Sequence, residues 1–154
     1  MEKRTLYHCD LGFLEIVMRD RMLAEIVFLD RPGNHKSDPI EDSMRQVIQE
    51  LDEYFAGQRI TFSMKVKLTG TPFEQKVYEA LQNIPYGETR SYKEIAEQIG
   101  HPKAFRAVGS ANRKNPVPIV VPCHRVIGAN GKLAGYNGGI EKKIKLLAIE
   151  GINA

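Results

Sequence analysis

The sequence predicts an α/β protein: a small N-terminal α/β domain over residues 1–68, then a mainly helical C-terminal domain over residues 69–154 with a helix-turn-helix and a candidate reactive cysteine. Three observations carry this. Two apolar runs, Leu11 to Met18 and Met22 to Leu29, are divided by polar Arg19-Asp20-Arg21. Two capping boxes, Thr71-x-x-Glu74 and Ser91-x-x-Glu94, open successive helical stretches. Finally, Pro122-Cys123-His124-Arg125 sets a thiol in proline-restrained backbone behind the apolar Ile119-Val120-Val121.

The apolar runs read as a hairpin, although neither alternates perfectly. Arg31 to Pro39, rich in Pro, Gly, Asn and Ser, reads as a loop. From about Pro39 to Ala56, Met44, Val47, Ile48, Leu51 and Phe55 recur at helical spacing, and Gly57 ends the helix. Ile60 to Leu68 supplies one more candidate strand. This first domain holds no motif that carries chemistry.

Thr69-Gly70 marks the boundary. Thr71 caps the next helix with Pro72 at its first position, and Phe73, Val77, Ala80 and Leu81 form its apolar stripe. Pro85-Tyr86-Gly87 is a turn. Ser91 caps a further helix whose Tyr92, Ile95, Ala96 and Ile99 share a face, and Gly100-His101-Pro102 interrupts it. Helical spacing resumes from Lys103, where Ala104, Ala107, Val108 and Ala111 face one way and Arg106, Gly109, Ser110 and Arg113 the other.

That pattern fits a helix-turn-helix whose second helix docks on DNA, the small residues allowing close approach while the arginines reach phosphates or bases. It equally fits a solvated helix pair in a bundle. Charge leans toward the first reading. Residues 1–68 carry 10 Lys and Arg against 12 Asp and Glu, net −2, whereas residues 69–154 carry 12 against 7, net +5.

The prolines at 116, 118 and 122 disfavour a helix and predict an extended, partly buried path ending at Cys123. An apolar-flanked cysteine can be an inert core residue or a nucleophile. His124 favours the nucleophile, because a nearby imidazole promotes the thiolate directly or through water. Adjacent side chains on a strand point apart, so their cooperation requires a turn or a water bridge. Gly128 to Gly131 and Gly135 to Gly139 read as loops close to the sulfur, with Tyr136 able to stack, to donate through its hydroxyl, or to serve as an interface aromatic. In the last helix Ile140, Ile144, Leu147 and Ala148 make the buried face. Glu150 at its end either orients His124 or is a solvated carboxylate.

Composition excludes several classes. At 42% hydrophobic and 27% charged residues the chain is ordinary for a soluble protein. No apolar stretch reaches a membrane span and MEKRTLYHCDLG lacks a signal-peptide core, so a cytoplasmic protein is expected. Cys9 and Cys123 are too few for a cysteine zinc cluster, and His8 and His124 do not restore ligand spacing. A Cys9 to Cys123 disulfide stays open, with a reducing compartment against it.

Taken together, Asn115-Pro-Val-Pro-Ile-Val-Val-Pro-Cys-His-Arg-Val126, Arg106-Ala-Val-Gly109 and Gly135-Tyr-Asn-Gly-Gly139 strongly resemble the O6-alkylguanine-DNA alkyltransferase family. The resemblance covers nearly all of residues 71–151 and is much less specific before them. It implies direct-reversal repair of O6-alkylguanine, and in some members O4-alkylthymine, by a stoichiometric, irreversible transfer to Cys123. His124 then acts through water as the base, Glu150 orients it, and Asn115 organises hydrogen bonds around the site segment. Tyr136 donates toward the guanine, and backbone groups at Cys123 and Val126 read its amino edge.

The same resemblance makes Arg106 a finger that enters the duplex and Tyr92 a residue that crowds the target phosphate, with Gly109, Ser110 and Arg113 on the groove-facing side. It implies a monomer acting on double-stranded DNA with a flipped nucleotide, with no cofactor, metal or membrane. Asn137 departs from the smaller or different residue of several family members and puts substrate preference in doubt. Two rivals share parts of this pattern: a cysteine hydrolase using Cys123 and His124 with repeated turnover, and a noncatalytic DNA-binding regulator built on the helix pair.

Overall fold

The first 29 positions fold into an antiparallel sheet of three strands, β1 (Glu2–Cys9), β2 (Gly12–Arg19) and β3 (Met22–Leu29), in the order β1-β2-β3. The computed structural model describes residues 1–133 and 135–153. Two units divide the chain, Met1–Leu68 and Thr69–Ala154.

In the first unit, Thr5, Tyr7, Leu14, Ile16 and Ile26 come into one buried layer through the pairs Thr5↔Ile16, Tyr7↔Leu14 and Ile16↔Ile26. Helix α1 (Asp42–Phe55) covers it with Met44, Val47, Leu51 and Tyr54, and Tyr7 donates to Asp52 at 2.7 Å. Burying each aliphatic side chain contributes about 1.5–3 kcal/mol, and a slip of one residue would turn that layer to solvent, so burial fixes the register. The hairpin expected from residues 11–29 is thus present, with an extra strand before it. The strand expected over Ile60 to Leu68 does not form. Only Val66 pairs, as a parallel bridge to Leu23, with Lys67 N–H bonded to the Leu23 carbonyl at 2.8 Å.

The second unit contains α2 (Pro72–Gln82), β4 (Arg90–Ser91), α3 (Tyr92–Gln98), α4 (Phe105–Arg113), a 3₁₀ turn (Cys123–Arg125), β5 (Val126–Ile127) and α5 (Ile140–Ile149). Both capping boxes close as expected, Thr71 with Glu74 and Ser91 with Glu94, and Pro72 occupies the first turn of α2. Helices α3 and α4 form the helix-turn-helix.

Two faces differ from expectation. In α4, Val108, Gly109, Ala111 and Asn112 are buried, whereas Ala107 is exposed. In α5 the buried stripe is Lys143, Leu146 and Leu147, with Glu150 at the helix end, while Ile140 and Ile144 are exposed. Both helices are rotated from the purely apolar reading for the same reason. Asn112, Lys143 and Glu150 have polar partners inside, and those partners outweigh the burial of one more aliphatic group.

Candidate active site

The segment leading to the sulfur is a tight turn rather than the extended path expected. Val121 N–H bonds back to the Val117 carbonyl at 3.0 Å, and buried Ile119 sits at φ 77°. A β-branched residue in that region is strained, and it persists only where its surroundings hold it. Asn115 is the clamp. Its Oδ1 accepts from Val117 N–H at 3.0 Å and its Nδ2 donates to the Val121 carbonyl at 2.8 Å, with the side chain fully enclosed.

The 3₁₀ turn follows directly, with Arg125 N–H bonded to the Pro122 carbonyl at 3.0 Å. It supplies the turn that cooperation between Cys123 and His124 demands. Cys123 is 1% exposed, and its carbonyl accepts from Asn112 Nδ2 on α4 at 3.3 Å. Parallel pairing of Arg90 with Val126 and Ser91 with Ile127 ties the far side of the turn to the start of α3.

Around the thiol, burial sets the electrostatics. It pushes the Cys123 pKa up, opposed by hydrogen bonds from Asn115 and Tyr136 and by the charge of Lys143. The resting sulfur is therefore a thiol, and its proton needs a base. His124 is wholly buried, which drives its pKa down, against the opposing pull of Glu150. Its Nε2 lies 2.6 Å from Glu150 Oε2. Glu150 is itself paired with Arg125, whose Nε donates to Oε1 at 2.8 Å and Nη2 to Oε2 at 3.1 Å, and Gly87 N–H adds a bond to Oε1 at 3.2 Å. A carboxylate so paired stays ionised, so Nε2 of a neutral imidazole carries the hydrogen and Nδ1 keeps its lone pair. Nδ1 is buried and has no hydrogen-bond partner among the described residues.

The structure thus sets Asn115, Tyr136 and Lys143 about the Cys123 sulfur, and joins the next residue in the chain, His124, to Glu150 and Arg125. Val126 is buried beside them, and its carbonyl accepts from Lys143 Nζ at 2.6 Å. Tyr92 presents its ring to the Gly109 backbone while its hydroxyl is buried without a hydrogen-bond partner among the described residues. Arg106 and Arg113 are exposed on α4, and Ser110 is half-buried. Gly109 does not lie on the outer face: a Cβ there would sit 3.7 Å from both Tyr92 and Arg113. Asn137 is exposed in the turn that Gly139 N–H closes on the Tyr136 carbonyl at 2.9 Å.

Four residues of the site escaped sequence reasoning. Arg125 links Glu150 to the Ile84 carbonyl at 2.7 Å and stands 5.7 Å from the centre of the Tyr86 ring, and Tyr86 in turn donates to the Ile149 carbonyl. Lys143 is 0% exposed, and burial pushes its pKa down to about 8 with the Cys123 thiolate opposing. Asn112 is the fourth. The seven-residue interval from Lys143 to Glu150, two turns of one helix, was the available signal for a polar inner stripe.

Two family models match the chain: the 6-O-methylguanine DNA methyltransferase ribonuclease-like domain over residues 3–68 and the DNA binding domain of the same name over residues 72–152. A methylated-DNA–protein-cysteine methyltransferase of Mycolicibacterium paratuberculosis is 48% identical over 153 residues, covering 97% of this chain and 92% of the relative. The crystal structure of the Mycobacterium tuberculosis O6-methylguanine methyltransferase is 43% identical at a TM-score of 0.88, covering 100% of this chain and 95% of that one. A complex of the M. tuberculosis protein with DNA is similar at a TM-score of 0.87 and 43% identity, over 96% of this chain and 92% of that one.

Proposed function

The chain belongs to the 6-O-methylguanine DNA methyltransferase family, and from that premise we propose that Cys123 is its alkyl acceptor, activated by His124 and Glu150. The family reaction is direct reversal: an alkyl group leaves the O6 of guanine in DNA for a cysteine of the protein, once per polypeptide. The observation that carries the assignment is the buried His124–Glu150 pair, with Nε2 held 2.6 Å from the carboxylate, on the residue that follows buried Cys123 in the same 3₁₀ turn.

Each step falls to a named residue and one bridging water. The Cys123 proton passes toward His124 Nδ1 through water, and the sulfur electron pair forms a bond to the alkyl carbon. The carbon–oxygen bond breaks with its electrons staying on guanine, where Tyr136 donates to the developing charge. The product is a thioether, which water does not cleave, so the acceptor is spent.

DNA binding falls to the second unit, where exposed Arg106 and Arg113 face out from α4. On this reading the partner is a duplex with the damaged nucleotide flipped out, met by a single copy of the chain in the cytoplasm. Flipping costs a few kcal/mol, which Arg106 and the pocket offset. Incubation with duplex carrying labelled O6-methylguanine should place one equivalent of label on the peptide containing Cys123, read by intact-protein and peptide mass analysis. Label on another residue, or repeated release of product without modification of Cys123, would sink the assignment.

A further inference from the structure

Phe105 is the first residue of α4 and is 46% exposed, although the helix buries its one other larger apolar side chain, Val108. It lies on the stripe of Gly109 and Asn112, four and seven residues on. That stripe faces the reactive centre: Asn112 Nδ2 reaches the Cys123 carbonyl at 3.3 Å, and Gly109 abuts the Tyr92 ring. Seven residues of helix span about 10 Å, so Phe105 stands at the rim of the site, one end of a line that runs to the sulfur. Lys103 and Arg106 flank it in the chain as exposed cations, and Arg113 and Lys114 are exposed at the far end of the helix. An uncovered ring flanked by Lys103 and Arg106, on a helix that also exposes Arg113 and Lys114, suits one occupant: a polyanion with stacked, apolar faces.

We propose that Phe105 is an apolar wedge for duplex DNA, its ring packing against a base face beside Arg106 at the step from which the target nucleotide has left. The inference rests on the transfer to Cys123 argued above and extends it to how the flipped state is held. Arg106 supplies charge at that step, and Phe105 supplies the sequence-tolerant stacking surface that charge alone does not. The ring is placed by α4 on the active-site side of the helix, whereas Arg106 is turned about 100° from it. The two side chains therefore meet different parts of the opened duplex.

The test compares single-turnover transfer from duplex O6-methylguanine with transfer from the free base O6-benzylguanine. Phe105→Ala should lower the ratio of duplex to free-base rate roughly tenfold or more, the loss expected of one aromatic stacking contact. An unchanged ratio overturns the wedge. Phe105→Trp should restore the ratio and, because the chain has no tryptophan, gives a single indole whose emission duplex stacking quenches. Quenching by O6-methylguanine duplex supports the wedge, and unaltered emission on saturation with that duplex overturns it. Should the unaltered chain transfer from neither the duplex nor the free base, the acceptor assignment fails instead, and the indole readout still judges Phe105.

Discussion

His124 and Arg125, adjacent in sequence, grip the same carboxylate from two sides: Nε2 of the imidazole and Nη2 of the guanidinium both reach Glu150 Oε2, at 2.6 and 3.1 Å. One buried anion therefore fixes the tautomer of the base and balances a buried cation. The site cannot lose Glu150 without two separate consequences, and they are measurable apart.

Glu150→Gln should reduce stability by about 3–5 kcal/mol, because it leaves the Arg125 charge buried and unbalanced. Urea unfolding reads this. Arg125→Met in the same background should recover most of the loss by removing the orphaned charge. If the double variant is no more stable than Glu150→Gln, the cost arises elsewhere.

The same substitution should alter the pH profile of transfer. Glu150 raises the pKa of His124 against a larger lowering by burial, so His124 is neutral at and above its ordinary value of about 6.5. The acid limb of the rate should lie below that value. In Glu150→Gln the limb should move to still lower pH while the plateau falls, since a weaker base is easier to keep neutral but takes the Cys123 proton less readily. Single-turnover rates on O6-benzylguanine between pH 5 and 8 report both. A limb that stays in place removes Glu150 from the relay.

Stability should follow the two shifted groups with opposite signs. The folded pKa of His124 is lowered, so its contribution is present above the unfolded value and is lost as pH falls through the folded one. The folded pKa of Cys123 is raised, so its contribution is present below the unfolded value and is lost as pH rises through the folded one. Thermal unfolding of the full chain should weaken at both ends, and Cys123→Ala should remove only the alkaline loss attributable to the thiol. Loss of the acid limb in Cys123→Ala would contradict the separation.

Much of this was legible locally. Thr71 with Glu74 and Ser91 with Glu94 are short-range signals whose physics needs nothing from the rest of the chain, and both formed. Asn115 and Tyr136 bond toward Cys123, and Glu150 meets His124, two pairings that the motifs implied. What did not read was anything whose identity contradicts its burial. A lysine or arginine in sequence looks like a solvated face, yet Lys143 and Arg125 lie inside because Val126, Ile84 and Glu150 offer acceptors from distant elements. Gly109 failed in the reverse sense. Its small size suggested an outer groove-facing surface, whereas its place is against Tyr92, and β1 was missed because it buries only Thr5 and Tyr7 among charged and polar residues.

Gly109→Ala tests that reassignment. The added Cβ meets its nearest neighbours at 3.7 Å, an ordinary contact, in a helix interior without positive φ. Alanine should therefore stabilise the protein by about 0.5–1 kcal/mol through helix propensity. Melting temperature should rise. A marked drop instead would mean that Tyr92 or Arg113 cannot tolerate even ordinary contact.

Lys143 gives the sharpest separation of stability from chemistry. Its ammonium is fully buried, donates to the Val126 carbonyl at 2.6 Å, and has its pKa pushed down to about 8. Losing the buried charge relieves a desolvation cost while the Val126 carbonyl loses its donor, so Lys143→Met should change stability by no more than about 1–3 kcal/mol at pH 7. Yet it removes a positive charge that opposes the upward shift of the Cys123 thiol, and it takes the donor from the Val126 carbonyl. Transfer should slow by roughly tenfold or more, as expected when an electrostatic contribution of about 1.4 kcal/mol is lost. The thiol should titrate at higher pH, followed by its rate of alkylation with iodoacetamide. Lys143→Arg keeps the charge and should restore the thiol titration even where it fits the pocket poorly. A slowed Lys143→Met with an unmoved thiol would assign Lys143 to the Val126 carbonyl alone.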